Sequence, residues 1–267
     1  MNDNKTKTVL VVGVDSQIGS HLYDFLSQEG FRVLGTTRRK QDSKDLQTSR
    51  IFLDLELDST QIPQVQFDIA IICAGANQSH CDENPNRAYR INVENSTRLI
   101  KMLQDKGVFV IFLSSNAVFD GTKSFYKYTE SPNPMNNYGR YKVLIEEFLK
   151  SNKGDSSILR LTKVLTSETT FIKMWERYIA EGKRFEIFQN HFLSPISLYS
   201  VASAVKLLIE EREHGIFQLG GKTETSYESF ALKYFEGNPV ALNLIDFRMD
   251  KNAPFGKHNS LESYLPS

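Results

Sequence analysis

Five short apolar runs constrain this chain more than any other feature. TVLVVGV (residues 8–14), FRVLGTT (31–37), FDIAIIC (67–73), VFVIFLSS (108–115) and SILRLT (157–162) are mostly β-branched or aromatic and are bounded by turn residues. Continuous apolar runs of this length read as strands buried on both faces. Helical patterns lie between several of them. Ile18, Leu22, Phe25 and Leu26 share one stripe with Gly30 as its stop, and a second pattern, from about Asn86 to Asp105, sets Ile91, Leu99 and Leu103 among polar neighbours. Alternation of strand and helix over the first 160 residues predicts an α/β fold with a parallel, doubly wound sheet.

After SILRLT the rhythm changes. FIKMWERYIAEG reads as a helix, RFEIFQ as a short strand, LYSVASAVKLLIEERE as a strong helix, GIFQLGG as a strand and SYESFALKYFEG as a last helix. From Asn238 the tail reads as loop-rich, with Pro239, Pro254 and Pro266. The expected division is a nucleotide-binding domain over 1–163 and a smaller domain over 164–267, with the helix near 198–213 returning to pack on the sheet.

Lys+Arg and Asp+Glu both total 32, and no long block of like charge appears, so neither nucleic acid nor a membrane is expected as a partner. The polar start MNDNKTKT is followed by only a short apolar run, which predicts no signal peptide and no membrane span. The two cysteines, Cys73 and Cys81, form no CxxC pair, and the five histidines show no ligand spacing, so no metal site is expected. Cys73, inside FDIAIIC, reads as a small buried hydrophobe, and a reducing cytoplasm fits this usage.

Two stretches carry nucleotide chemistry. The first strand runs into GVDSQIG, where Gly13 and Gly19 bracket Ser16 ahead of a helix. Glycine there permits a tight bend and close approach of a pyrophosphate, which the helix N-terminus stabilises. The second strand ends GTTRRK, with no carboxylate for a ribose diol and with Arg38 and Arg39 at hand. Guanidinium forks suit a phosphate dianion, so NADP(H) is the expected cofactor, the alternative being a solvated loop.

In NNYGRYKVLIEEFLK (136–150), Tyr138 stands one helical turn ahead of Lys142. Positions i and i+4 share a helix face, and a fixed positive charge beside a phenol favours the phenolate. Such a tyrosine can exchange a proton with a substrate oxygen. The same spacing also suits an ordinary amphipathic helix in which Tyr138 packs and Lys142 is solvated.

Taken in order, GVDSQIGSHL, Asp54-Leu55, RINVENSTRLI, LSSNAVFDG, YTESPNPMNNYGRYK, ILRLTKVL, LSPISLYSVASAV and GIFQLGG resemble the extended short-chain dehydrogenase/reductases, and more narrowly the dTDP-4-dehydrorhamnose reductase family. The likeness covers most of the chain. It implies a Rossmann-type domain with a small C-terminal substrate-binding domain, and NADPH-dependent reduction of a nucleotide-linked 4-keto-6-deoxy sugar to the 4-hydroxy sugar, for surface polysaccharide or another glycoside. Ser115, Tyr138 and Lys142 match the family's catalytic Ser/Thr, Tyr and Lys. The resemblance implies that Lys142 lowers the pKa of Tyr138 and grips the nicotinamide ribose. Tyr138 would protonate the oxygen made anionic by hydride attack, and Ser115 would hydrogen-bond that oxygen. Ser114 is adjacent, and strand alternation sends the two hydroxyls to opposite faces.

By the same match, Gly13, Ser16, Gln17, Ile18 and Gly19 form the phosphate turn, and Arg38 and Arg39 meet the additional phosphate. Asp54 and Leu55 lie at the adenine, Ala74 and Gly75 line the cofactor, and Asn92 flanks the site. Asp54 equally suits a turn after IFL, and Asn92 could simply satisfy backbone groups. Arg160 and Lys163 either help hold a diphosphate or stay solvated at a domain edge. Ser16 replaces the middle glycine of the fingerprint, and Asn116 and Ala117 replace an acid and an aromatic in the family's S-T-D-Y-V-F. The missing acid argues against a dehydratase. A nucleotide-sugar epimerase and a non-catalytic NADP-binding regulatory subunit remain as alternatives; a homodimer is expected by fold analogy alone.

Overall fold

Every residue of TVLVV (8–12) and of IAII (69–72) is buried, and such apolar runs can sit only inside a sheet covered on both faces. The computed structural model describes residues 6–39, 50–57, 65–152, 154–253 and 257–266; the first five residues of the polar start and Pro254 lie outside it. Along the chain come β1 (Thr8–Val12), α1 (Gln17–Gln28), β2 (Arg32–Thr37), β3 (Arg50–Phe52), β4 (Ile69–Ile72), α2 (Gln78–Glu83), α3 (Pro85–Tyr89), α4 (Ser96–Gln104), β5 (Phe109–Ser115), α5 (Asn137–Ser151) and β6 (Ser156–Leu161). There follow α6 (Thr170–Ala180), β7 (Phe185–Phe188), β8 (Phe192–Leu193), α7 (Leu198–Glu211), β9 (Gly215–Leu219), β10 (Thr225–Ser226), α8 (Tyr227–Tyr234), α9 (Pro239–Asn243) and β11 (Ile245–Arg248). No helix among the described residues is long and apolar enough to cross a membrane.

The main sheet has seven parallel strands in the order β3-β2-β1-β4-β5-β6-β9, a Rossmann-type arrangement. Alternation along the strands splits its side chains between two layers. Val9, Val11, Ile69, Ile71, Phe109 and Ile111 face α1 and α7, where Leu22, Leu26, Val205 and Leu208 complete the core. Leu10, Val12, Ala70, Ile72, Val110 and Phe112 face α4 and α5, against Leu99, Leu103, Ile145 and Leu149. The helix expected to return to the sheet, α7, does so, and β9 extends the sheet beside β6. A third, smaller core gathers Trp175, Phe185, Ile187, Ala231 and Phe235 from α6, β7 and α8.

Three elements differ from the sequence expectation. β3 is a three-residue edge strand paired with β2, too short to stand out beside Asp54. The tail after Asn238 is partly ordered secondary structure. The Asn238 side chain accepts the Ala241 N–H at 3.0 Å to cap α9, with Pro239 in its first turn, and β11 then pairs in parallel with β7. The helix expected over 86–105 is interrupted by a π-helical turn at Arg90–Asn95. That wide turn directs two amides away from the helix: Asn95 Nδ2 donates to the Leu55 carbonyl at 2.7 Å, and Asn92 faces Ala76.

A buried ion pair holds the C-terminal half of the sheet. Arg160 on β6 and Glu146 on α5 are both fully buried, with Arg160 Nη2 at 2.6 Å and Nε at 3.0 Å from the carboxylate oxygens. Ser114 Oγ donates to Glu146 at 2.6 Å, and Arg160 Nη1 donates to Gln218 Oε1 on β9 at 3.3 Å. Gln218 Nε2 in turn donates to the carbonyls of Tyr126 and Glu262. Arg160 therefore neither stays solvated nor is available to a diphosphate. Glu146→Ala strands the guanidinium in the core and is expected to cost about 3–5 kcal/mol in urea unfolding. The double replacement Glu146→Leu/Arg160→Met is expected to recover part of that loss; an unchanged midpoint in Glu146→Ala would refute the role.

Candidate active site

The strand order reverses between β1 and β4, and ligands of open α/β sheets bind outside the carboxyl ends of the strands at such a switch point. Gly13 follows β1 there with φ +94°, and a Cβ on it would lie 2.9 Å from the Ala74 nitrogen. Gly19 lies against the same turn, since a Cβ would stand 2.2 Å from the Gly13 oxygen. Ser16, where the fingerprint usually has glycine, caps α1: its Oγ accepts the Gly19 N–H at 3.0 Å and donates to the Gly13 carbonyl at 2.9 Å.

A cleft of about 510 Å³ opens over this turn. Of the expected positions, Gly13, Ser16, Arg38, Asp54, Leu55, Ala74 and Gly75 line it. Five others do not. Gln17 Oε1 accepts from Thr166 Oγ at 3.1 Å, Ile18 packs on the core, and Gly19 is buried. Arg39 is exposed, with its N–H on Thr37 Oγ at 3.0 Å. Asn92 stands behind the wall and grips one residue at both ends: its Oδ1 accepts the Ala76 N–H at 2.6 Å and its Nδ2 donates to the Ala76 carbonyl at 2.9 Å. Asp54 both lines the cleft and makes the local turn, its Oδ1 accepting the Glu56 N–H at 3.0 Å.

Residues not anticipated also shape the cleft. Asp15 lines it and accepts from Thr37 Oγ at 2.5 Å. Arg87, from α3, lines it and is paired with Glu56 at 2.6 Å. The hydrogen bond from Arg87 holds the Glu56 carboxyl below its usual range, with Arg38 and Arg90 adding to the effect. Cys73, expected as a buried hydrophobe, is only half-buried and lines the cleft, whereas Cys81 is fully buried.

Ser115, Tyr138 and Lys142 converge where β5 ends. Ser114 turns to Glu146, and alternation sends Ser115 to the other face, where its Oγ accepts the Ala117 N–H at 3.2 Å. The first turn of α5 is capped by Asn136, whose side chain accepts the Gly139 N–H at 2.8 Å. Only glycine fits at 139, because a Cβ would stand 2.0 Å from the Ala117 oxygen; this contact brings Tyr138 to Ser115. The tightly packed tyrosine of YGRYK is Tyr141, buried with its hydroxyl on the Pro85 carbonyl at 3.0 Å.

Burial pushes the Tyr138 phenol up to about 12; neighbouring Cys81 adds to this, and the hydrogen bond with Ser115 opposes it. Lys142 Nζ donates to the Leu113 carbonyl at 2.8 Å and lies 5.6 Å from the Tyr138 ring centroid and 4.6 Å from that of Phe112. Burial draws its pKa down to about 8. The expected lowering of the phenol by Lys142 is therefore not what this geometry produces: the amine sits over the ring face and spends a hydrogen bond on the backbone. At neutral pH Tyr138 is a neutral phenol, the form that can donate a proton. Among the described residues no group of three or more His, Cys, Asp or Glu side chains is placed to hold a metal ion.

Cys73 provides a pH test. Burial raises its thiol from 9.0 to about 12, with Lys142 pulling the other way. The folded state thus holds this proton more tightly, and the thiol contributes stability that is full below pH 9 and lost as pH rises toward 12. Cys73→Ala is expected to flatten the alkaline fall of stability between pH 9 and 12, read from denaturant midpoints. An unchanged slope would show that Cys73 does not titrate in this way.

The family profile described as the RmlD substrate binding domain matches residues 7–252. Among solved structures, the chain superposes on a hypothetical dTDP-4-dehydrorhamnose reductase from Sulfolobus tokodaii with TM-score 0.75 and 28% identity, over 96% of this chain and 92% of that one. The dTDP-4-dehydrorhamnose reductase of Bacillus anthracis, crystallised in complex with NADP, gives TM-score 0.76 at 20% identity, over 97% and 90%. Among curated proteins, the probable low-salt glycan biosynthesis reductase Agl14 of Haloferax volcanii is 25% identical over 235 residues, 85% of this chain and 78% of that protein. Methionine adenosyltransferase 2 subunit beta of Bos taurus is 26% identical over 240 residues, 83% of this chain and 70% of that protein. With a profile match over most of its length and a doubly wound sheet carrying a glycine turn at its switch point, the chain belongs to the RmlD substrate-binding-domain family of extended short-chain dehydrogenase/reductases.

Proposed function

We propose that this protein is an NADPH-dependent reductase acting on a nucleotide-linked 4-keto-6-deoxy sugar. The observation that carries this reading is the convergence of Ser115, Tyr138 and Lys142 at the end of β5, beside the cleft at the switch point. NADP(H) fits the residues present. Gly13 leaves room for a close backbone approach, the opening turn of α1 faces the cleft through Ser16, and Arg38 supplies a cation just past the end of β2, where Asp15 is taken up by the Thr37 hydroxyl. Bound NADPH supplies the hydride.

The chain's own residues supply orientation and a proton. Tyr138, neutral at pH 7 and hydrogen-bonded to Ser115, donates its proton to the sugar oxygen as negative charge develops there. Ser115 offers a second hydrogen bond to that oxygen. Lys142, held by the Leu113 carbonyl, places positive charge on the same side of the site. The small unit built on α6, β7, α8 and β11, with the 120–134 loop, would enclose the sugar nucleotide.

A second reading has support from the relative named as a subunit of methionine adenosyltransferase: an NADP-binding regulatory subunit without turnover of its own. The experiment that separates the readings follows NADPH and NADH oxidation against dTDP-, UDP-, GDP- and CDP-linked 4-keto-6-deoxy sugars. Net consumption of NADPH with one nucleotide class supports the reductase over both the regulatory reading and an epimerase; tight NADPH binding with no oxidation supports the subunit. Tyr138→Phe is expected to lower kcat by about 10²–10⁴-fold with NADPH affinity nearly unchanged, and unaltered turnover would refute the mechanism. Arg38→Ala is expected to weaken NADPH about tenfold while leaving NADH affinity near its starting value, as titration of nicotinamide fluorescence would show.

A further inference from the structure

Asn116 and Asn259 are 143 residues apart in the chain, yet Asn116 Nδ2 donates to Asn259 Oδ1 at 2.8 Å. On one side of this pair, Ser115 Oγ donates to Asn116 Oδ1 at 3.3 Å. On the other, Asn259 Nδ2 donates to the Phe192 carbonyl at 2.8 Å. A backbone carbonyl can only accept, so the Phe192 end decides every direction along the row. Asn259 must turn its NH₂ to Phe192 and its oxygen to Asn116. Asn116 must then turn its NH₂ to Asn259 and its oxygen to Ser115, which leaves the Ser115 hydroxyl as the donor.

The far end of this row is firmly anchored. The N–H groups of Asn259 and Ser260 donate to Glu224 Oε1 at 3.1 and 3.2 Å, and Ser124 Oγ donates to Glu224 Oε2 at 2.6 Å. The His258 N–H, one residue earlier, donates to the Gly121 carbonyl at 2.9 Å.

We propose that Asn259 is a positioning residue for the reduction: acting through Asn116, it sets the rotamer and the proton direction of Ser115 from the C-terminal segment. This rests on the reading of Ser115 given above. With its proton directed to Asn116, Ser115 Oγ presents a lone pair to the Ala117 N–H and stays within hydrogen-bond reach of the Tyr138 hydroxyl, which fixes the spacing of the two groups that meet the substrate oxygen. The Ser115 to Asn116 bond is long and neutral, so the Ser115 hydroxyl can turn its hydrogen bond to a substrate oxygen gaining charge at little cost. A carboxylate at 116 would hold it by a charge-assisted bond and release it less readily.

The test compares Ser115→Ala, Asn116→Ala, Asn259→Ala and the doubles Asn116→Ala/Asn259→Ala and Ser115→Ala/Asn259→Ala. The substrate is whichever member of the sugar-nucleotide panel oxidises NADPH fastest, with NADPH affinity measured alongside. Asn259→Ala is expected to lower kcat about 10- to 100-fold, the size of effect a displaced catalytic group produces, with NADPH affinity unchanged. Neither double is expected to fall below its more damaged single, because the residues act as one row. Asn259→Asp, nearly isosteric, opposes the Phe192 carbonyl with a carboxylate and is expected to show the same loss, partly recovered as the pH is lowered and the carboxyl regains a donor. A parental kcat in both Asn259 variants, or a loss in Asn259→Ala that multiplies fully with that of Ser115→Ala, would overturn the proposal and leave the Ser115 reading standing. Parental turnover in Ser115→Ala, or silence across the panel, would overturn both.

Discussion

Glu146 and Arg160 meet where no water reaches them, and the arrangement of the site follows from the way their remaining valences are filled. A buried pair gains little over well-packed apolar residues unless its other donors and acceptors are satisfied. Here Ser114 takes one carboxylate oxygen and Gln218 takes one guanidinium nitrogen, so α5, β5, β6 and β9 are tied at a single point. With Ser114 committed to that point, the pleat of β5 leaves Ser115 on the opposite face, where its Oγ accepts the Ala117 N–H. Tyr138, Lys142 and Glu146 follow one another at intervals of four on α5, so anchoring the last of them aligns the first two.

The same point governs the C-terminal tail. Gln218 spends its amide on the carbonyls of Tyr126 and Glu262, while Tyr264 exchanges backbone hydrogen bonds with Gln218. The 120–134 loop and residues 257–266 are thereby laid beside the end of β5, which is how Asn259 comes within reach of Asn116. On the other side of the switch point, the π-helical turn at Arg90–Asn95 does similar work with two amides, one on Ala76 and one on Leu55. The cleft at the switch point and the end of β5 are each held from behind by neutral or fully paired polar groups, which keep their positions without placing an uncompensated charge in the core.

Where local chemistry settles a question, the linear chain was legible. The inner strands β1, β4 and β5 announce themselves as unbroken apolar runs, the bend at Gly13 as glycine between strand and helix, and the Tyr138 and Lys142 pairing as helical spacing. Two readings failed for a common reason. Arg160 looked like an edge cation because its partner, Glu146, is on another element, although the spacing of four after Lys142 was a visible signal that Glu146 shares the helix face of Tyr138 and Lys142. Lys142 was expected to act on the Tyr138 oxygen, but the Leu113 carbonyl competes for its ammonium, and a backbone acceptor on a neighbouring strand has no mark in the sequence.

Periodicity and turn chemistry by themselves determined a parallel doubly wound sheet and a glycine turn after the first strand, because each of these is written within a few neighbouring residues; Ser115, Tyr138 and Lys142 stood out as a set only through resemblance to a known family. Tertiary structure alone decided that Ser114 turns to Glu146 and Ser115 to the other face, that burial raises the phenol of Tyr138, and that β3, β11 and the tail join the folded body. It also decided the row from Phe192 through Asn259 and Asn116 to Ser115. Those features depend on burial and on hydrogen bonds between residues far apart in the chain, and neither quantity exists until the sheet has closed around them.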